Sequence, residues 1–177
     1  MRIIAGRLGG RQFDSPHTQK THPMSDKMRG ALFNILGDLD GLEVLDAFGG
    51  TGALGFEALS RGAAKATIIE SDRPAQQTIL RNIDILGLHT HAQPISATTS
   101  AWLQTNPTAI FDVVICDPPY DDVQPNLIVK LARRVKDGGL LIMSLPSSLA
   151  LPSFEGLELV KQQHYGDAQL IFYRRTA

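Results

Sequence analysis

An α/β fold, a doubly wound parallel sheet that ends in an antiparallel hairpin, is what this sequence of 177 residues predicts. Three observations support it. From Leu42 onward short apolar runs alternate with stretches of helical period, the pattern of parallel strands joined by crossover helices. Val113-Val114-Ile115-Cys116 is continuously apolar, as in a strand buried on both faces. After Leu145 two strands flank the turn Tyr165-Gly166-Asp167 with no helix between them, so they pair antiparallel at the sheet edge.

At the N-terminus, Arg2-Ile3-Ile4-Ala5 and Arg11-Gln12-Phe13 flank the glycine-rich Gly6-Arg7-Leu8-Gly9-Gly10 and predict a β-hairpin. Asp14 to Pro23 reads as a loop. Ser25 is placed to N-cap a helix. In that helix Met28, Ala31, Leu32, Ile35 and Leu36 form one apolar stripe at helical period, with Lys27, Arg29 and Asn34 opposite. Strands follow at Glu43–Ala47, Ala66–Glu70, Ala92–Ile95, Phe111–Cys116 and Leu140–Ser144. Between them lie helices at Ala53–Arg61, Pro74–Leu86, Ser100–Gln104 and Pro125–Arg134. Leu157–His164 and Gln169–Arg174 are the closing strands. One domain over residues 1–177 is expected, with residues 1–38 as an N-terminal extension of a core over residues 39–177.

The bulk numbers exclude several classes. The longest nearly apolar run, Gly138 to Leu145, is too short for a bilayer, and MRIIAGRLGG has no unbroken apolar stretch to serve as a signal peptide. The single cysteine, Cys116, permits no intrachain disulfide and no thiol-type metal site. Trp102 and Phe154 read as packing residues, and His89 and His91 as residues of a surface loop. A cytoplasmic monomer with no metal and no membrane partner is the expectation. The net charge of −1 hides an asymmetry: residues 1–30 carry six basic and two acidic side chains, the remainder 11 and 16. A basic arm on an acidic body points to a polyanionic partner. Arg7, Arg11, Lys27 and Arg29 are the candidate phosphate contacts.

Gly50-Thr51-Gly52-Ala53-Leu54-Gly55 is a G-x-G-x-x-G string after an apolar run, and Glu70 ends the next strand. Glycines let a ligand approach the backbone at a helix N-terminus, and a carboxylate twenty residues on can accept from both hydroxyls of a ribose. These features fit NAD and S-adenosylmethionine (SAM) equally. Asp46, with Phe48 between it and the glycines, separates the two. A carboxylate there opposes a pyrophosphate but suits a ligand with an ammonium and a sulfonium.

The second motif decides for SAM. Phe111-Asp112-Val113-Val114-Ile115-Cys116 runs into Asp117-Pro118-Pro119-Tyr120. Adjacent prolines hold the backbone extended and leave a carbonyl unpaired. The loop offers a carboxylate, a carbonyl and an aromatic ring, which together suit an exocyclic amino group on a planar base. Asp117 and the Pro118 carbonyl accept its two N–H hydrogens, and Tyr120 stacks on the ring. The task is alignment of nucleophile and methyl.

Asp46-Ala-Phe-Gly-Gly-Thr-Gly, Glu70 and Asp117-Pro-Pro-Tyr resemble the cofactor loop, ribose acid and catalytic motif of amino-directed methyltransferases. The opening Met-Arg-Ile-Ile-Ala-Gly, then Pro23-Met-Ser-Asp-Lys-Met-Arg with Ala31-Leu-Phe-Asn-Ile-Leu, then Gly52-Ala-Leu-Gly-Phe-Glu-Ala-Leu-Ser-Arg-Gly-Ala, resemble the RsmD family, nearly end to end. That family comprises bacterial small-subunit ribosomal RNA guanine-N2 methyltransferases. The resemblance implies a Rossmann-like seven-stranded SAM methyltransferase sheet with an N-terminal hairpin and helix that engage the ribosomal particle. It implies N2 methylation of a guanine in 16S rRNA, of the guanine-966 type. It carries over a cofactor site at Asp46, Phe48, Gly50, Thr51, Gly52, Glu70, Ser71 and Ser96, with Ser96 or Thr98 meeting the adenine amino group. The catalytic loop is Asp117, Pro118, Pro119 and Tyr120. Two departures stand out: Phe48-Gly-Gly-Thr-Gly replaces the usual Phe-Ala-Gly-Ser-Gly, and His22 stands where an Arg commonly precedes the proline. The rivals are a DNA adenine-N6 methyltransferase, against which the short chain weighs, and a ribosome-assembly factor that binds SAM without using it.

Overall fold

The computed structural model describes residues 1–15 and 23–177, so most of the expected loop at 14–23, His22 included, lies outside the described residues. Helix α1 is Asp26–Leu36, followed by β1 Glu43–Asp46, α2 Ala53–Ser60, β2 Lys65–Glu70, α3 Arg73–Leu86, β3 Ala92–Ser96, α4 Thr99–Thr105, β4 Phe111–Cys116, α5 Pro125–Ala132, β5 Val135–Pro146, β6 Leu157–Tyr165 and β7 Ala168–Arg175. The seven strands form one sheet in the order β3-β2-β1-β4-β5-β7-β6. The first five are parallel, and β7 runs antiparallel to both β5 and β6. This is the Rossmann-like sheet with its closing hairpin, as expected. Among the described residues no helix is long and apolar enough to cross a membrane.

Period-two alternation along the strands loads both faces. Val44, Ile68, Val113, Ile115, Ile142 and Phe172 join the layer under α1, α2 and α3. Leu45, Ile69, Val114, Cys116, Leu141, Met143 and Ile171 face α4 and α5. Trp102 and Phe154 belong to this second layer, Phe154 edge-on to Tyr173 at 5.2 Å. Cys116 is wholly buried, and burial raises its pKa, so it packs as an inert thiol. Strand β5 begins five residues earlier than its apolar run. Phe111 pairs with Val135 but Val113 with Leu140, and the excess chain bulges at Gly138, where φ is +76°.

The N-terminal hairpin is present, as expected. Arg2 and Gln12 pair antiparallel, with Ile3 N–H on the Arg11 carbonyl at 2.9 Å, Gly10 N–H on the Ile3 carbonyl at 2.9 Å and Phe13 N–H on the Met1 carbonyl at 3.0 Å. Next to this short ladder, backbone groups bond to another element. Ile4 and Ala5 donate to the two oxygens of Glu57 on α2, at 2.7 and 3.0 Å. Ser60 donates to the Ala5 carbonyl at 2.6 Å and accepts from Leu8 N–H at 3.0 Å.

Ser25 caps α1 as expected, its side chain accepting from Met28 N–H. The helix does not, however, expose Arg29. That side chain is 1% exposed, enclosed between α1 and Glu57. Its guanidinium donates to the Arg2 carbonyl at 2.7 Å and to Asp26 at 2.9 Å. Arg61 completes the charge balance of Glu57 at 2.7 Å.

Glu57→Ala should therefore destabilise the fold by about 3–5 kcal/mol, because it strands a buried guanidinium and two backbone amides. Urea unfolding measures this; a loss below about 1 kcal/mol would show that the buried network does not hold the arm.

Candidate active site

Strands β1 and β4 are neighbours at the point where strand order reverses, with Val44, Leu45 and Asp46 opposite Val113, Val114 and Ile115. Loops leaving adjacent strand ends there open a crevice at the carboxyl edge of the sheet. The loop after β1 carries the glycines. Gly49 N–H reaches the Ile69 carbonyl of β2 at 2.7 Å, and a Cβ on Gly49 would meet the Ile68 side chain at 2.6 Å. Gly52 is left-handed, φ +81°, and caps α2 without a side-chain bond. A Cβ there would strike the Phe56 ring at 2.5 Å. Only glycine fits either position. Thr51 is buried and its hydroxyl accepts from Ala53 N–H at 3.3 Å; Phe48 is half-buried over the second apolar layer.

Asp46 is fully buried. One carboxylate oxygen accepts from Gly55 N–H at 3.2 Å, and among the described residues the other has no partner within hydrogen-bond distance. Burial, reinforced by the negative charges of Asp117 and Glu70 and opposed by the Gly55 and Phe48 amides, pushes its pKa up to about 7. An unpartnered buried carboxylate oxygen beside a glycine-lined approach fits a cationic ligand. The donor set therefore fits SAM. Glu70 holds the floor of the loop: its two oxygens accept from Gly50 N–H at 2.6 Å and Asp72 N–H at 2.7 Å. Ser71 follows it, exposed.

Ser96 lies opposite Glu70 in the β2–β3 register and donates to Gln76 at 2.7 Å; the Gln76 amide in turn donates to the Glu70 carbonyl at 2.7 Å. Thr98, the alternative to Ser96, caps α4 by accepting from Ala101 N–H. Gln76 was missed by the sequence reading; its signal was a polar residue one turn into α3 on the side of β3.

At the end of β4, Asp117 is half-buried, Pro118 is buried, and Pro119 and Tyr120 are exposed. Burial raises the Asp117 pKa to about 6, against the pull of the nearby Ser144 hydroxyl. Ser144, also missed, stands on β5 at 2.9 Å from the Tyr120 hydroxyl. A lone hydroxyl in the apolar run Leu140–Leu145 was the available signal. Asp46, Phe48, the glycine loop, Glu70, Ser71, Ser96 and the Asp117–Tyr120 loop thus all leave the carboxyl ends of β1 to β4.

The four basic candidates do not gather there. Arg29 is buried, as described. Arg7 N–H bonds Ser60 at the far end of α2 from Gly52, about 12 Å along the helix at 1.5 Å per residue. Arg11 is exposed but donates to the Leu86 carbonyl at the end of α3. Lys27 is exposed on α1.

Residues 1–174 match the sequence model of a family described as Conserved hypothetical protein 95. The chain is 34% identical over 142 residues to the Ribosomal RNA small subunit methyltransferase D of Escherichia coli (strain K12), an alignment covering 80% of this chain and 69% of that one. It is 29% identical over 182 residues to YlbH of Bacillus subtilis (strain 168), covering 99% of each. The solved structure of Escherichia coli yhhF superposes with a TM-score of 0.89 at 30% identity, covering 100% of this chain and 98% of that one.

The raised Asp46 pKa fixes a sign. The folded value, about 7, lies above the ordinary 3.8, so the protonated form favours folding below pH 4. That contribution is lost as pH rises through 7. Asp46→Asn keeps an acceptor for Gly55 N–H and removes the charge. The variant without cofactor should be more stable than the native chain at pH 8 by about 2 kcal/mol, with no gain at pH 4. Urea unfolding at the two pH values checks it; a variant less stable at pH 8 would mean the ionised carboxylate is well solvated.

Proposed function

The chain belongs to the Conserved hypothetical protein 95 family of SAM-dependent methyltransferases, and we propose that it methylates the exocyclic N2 of a guanine in small-subunit ribosomal RNA, of the guanine-966 type. One observation carries the reading: the β1–β4 pair sets the Asp46 and glycine loop beside the Asp117-Pro118-Pro119-Tyr120 loop. The related Escherichia coli protein, named for small-subunit ribosomal RNA, supports the choice of substrate.

When bound, SAM supplies an electrophilic methyl group on a cationic sulfonium. Asp46 would hold its ammonium end, Glu70 its ribose, and the backbone from Phe48 to Gly52 its approach, with Ser71 and Ser96 towards the adenine. Asp117, ionised at neutral pH, and the Pro118 carbonyl accept the two N–H hydrogens of the guanine amine. That turns the nitrogen lone pair to the cofactor side. Pro119 keeps the loop extended, and the Tyr120 ring supports the base. Asp117 accepts the proton once the nitrogen is substituted. No stronger base is required, since alignment supplies most of the rate. A guanine in folded RNA must be unstacked at a cost of a few kcal/mol. Arg7 and Lys27 are the proposed phosphate contacts that offset this cost, and their contribution fades with salt.

Labelled SAM offered in parallel with unmodified small subunits, naked ribosomal RNA and duplex DNA tests the proposal. Label should enter one guanine of the subunit or its RNA, and Asp117→Ala should lower turnover about a hundredfold while SAM still binds. Label in DNA alone would replace the RNA substrate, and full turnover by the variant would remove Asp117 from the chemistry.

A further inference from the structure

We propose that Ser144 is a positioning residue for the transfer step, its hydroxyl tying the Tyr120 phenol to the Asp117 carboxylate across the β4–β5 pair. The proposal rests on the reading of the Asp117–Tyr120 loop as the amine-binding loop.

Ser144 is 3% exposed, in a strand whose neighbours Leu141, Ile142, Met143 and Leu145 are all buried and apolar. A hydroxyl in that setting is costly unless bonded. The register explains what it bonds. Ile115 pairs with Ile142 and Cys116 with Met143, so Asp117 and Ser144 are the next residues along the two parallel strands. Side chains at such neighbouring positions share a face. Tyr120, three residues further along the loop, turns back to place its hydroxyl 2.9 Å from Ser144 Oγ.

Counting protons gives the direction. A serine hydroxyl has one proton to donate and an ionised carboxylate has none. Either hydroxyl of the Tyr120–Ser144 pair can donate; the proposed order has the Tyr120 phenol donating to Ser144, which leaves the Ser144 proton for the carboxylate of Asp117 on the same face. Burial raises the tyrosine pKa, so the phenol keeps the proton this order needs. The ring is fixed at its hydroxyl end while the residue stays 40% exposed. It is held ready for a base. The Asp117 charge raises the pKa of Asp46, Cys116 and Tyr120, and Asp167 adds to it at Tyr120, so the ionisable groups around the pair are all acidic. Ser144 is the neutral donor that favours the charged form of Asp117 among them.

The test uses the full chain and the variants Ser144→Ala, Ser144→Thr and Tyr120→Phe, with two readouts. One is methyl transfer from labelled SAM to small subunits across pH. The other is the titration of the Asp117 carboxyl carbon by NMR, which requires no turnover. Ser144→Ala should bind SAM normally, lose about tenfold in kcat, and shift both the acid limb of kcat and the Asp117 titration to higher pH. Ser144→Thr should restore them. Tyr120→Phe, which leaves the strand untouched, should lower kcat severalfold, and the double variant with Ser144→Ala should fall little further. Native kcat and an unmoved Asp117 titration in Ser144→Ala would overturn the proposal. So would a double variant in which the two losses simply multiply. If the native chain methylates no guanine, the substrate reading fails, and the Asp117 titration alone decides the role of Ser144.

Discussion

The site depends on the parallel pairing of β1 with β4. Strand order reverses at that pair, so α2 leaves β1 to one face of the sheet and α5 leaves β4 to the other. The crevice between the two departing loops is a consequence of topology. Whatever those loops carry is brought within a strand spacing of each other. Here they carry Asp46 and Asp117; the Asp117 charge raises the cost of ionising Asp46, and both raise that of the Cys116 thiol between them in the sheet. Two acids in one crevice are poor for the stability of the free protein and good for a cationic ligand. A positive charge placed against the unpartnered Asp46 oxygen converts an electrostatic penalty into binding.

Helix α2 carries this arrangement to the rest of the molecule. Its first residue follows the left-handed Gly52, and its last, Ser60, holds the N-terminal arm. Glu57 lies between, fully buried, with its two oxygens divided among Ile4 N–H, Ala5 N–H and Arg61, and with Arg29 at 3.9 Å. The arm is thus fastened to the helix that begins in the cofactor loop. A lone two-stranded hairpin is marginally stable by itself. Glu57 and Ser60 on α2 add bonds to the Ile4, Ala5 and Leu8 backbone next to its paired residues.

That attachment marks the limit of what the sequence discloses. Local signals were sufficient for the core: alternation of apolar strands and helices, proline and glycine punctuation, and the absence of a helix after β5 all agreed, and each expected strand and helix from Glu43 onward is present. The glycine loop and Asp-Pro-Pro-Tyr could be picked out because each is contiguous in the chain, and both leave the carboxyl ends of the paired strands β1 and β4. The N-terminal hairpin is present as expected, whereas Arg29 was misread because its partner lies on another element. The apolar stripe of α1 set Arg29 on the opposite, polar face, and no periodicity within residues 1–36 reveals a buried acid on α2. Ser144 and Gln76 escaped likewise, since their partners Tyr120, Asp117, Ser96 and Glu70 lie on other strands and loops.

The hydroxyls and amides gathered around the two motifs suggest why this site is built from acceptors of modest basicity. Asp117 titrates near 6, so at neutral pH it is mostly ionised and accepts hydrogen bonds, yet its conjugate acid is not strongly disfavoured. In the proposed reaction, a carboxylate held in the ordinary range near 3.8 would accept the amine hydrogens as well but would resist taking a proton afterwards. One pushed far above 7 would be protonated and could not orient the amine at all. Burial alone drives the group upward, and the neutral Ser144 hydroxyl draws it back without adding a cation that would repel the sulfonium. A lysine or arginine at that position would hold Asp117 ionised more firmly and would weaken cofactor binding by the same Coulomb law. A serine on the adjacent strand adjusts the acid without opposing the charge that the crevice is shaped to receive.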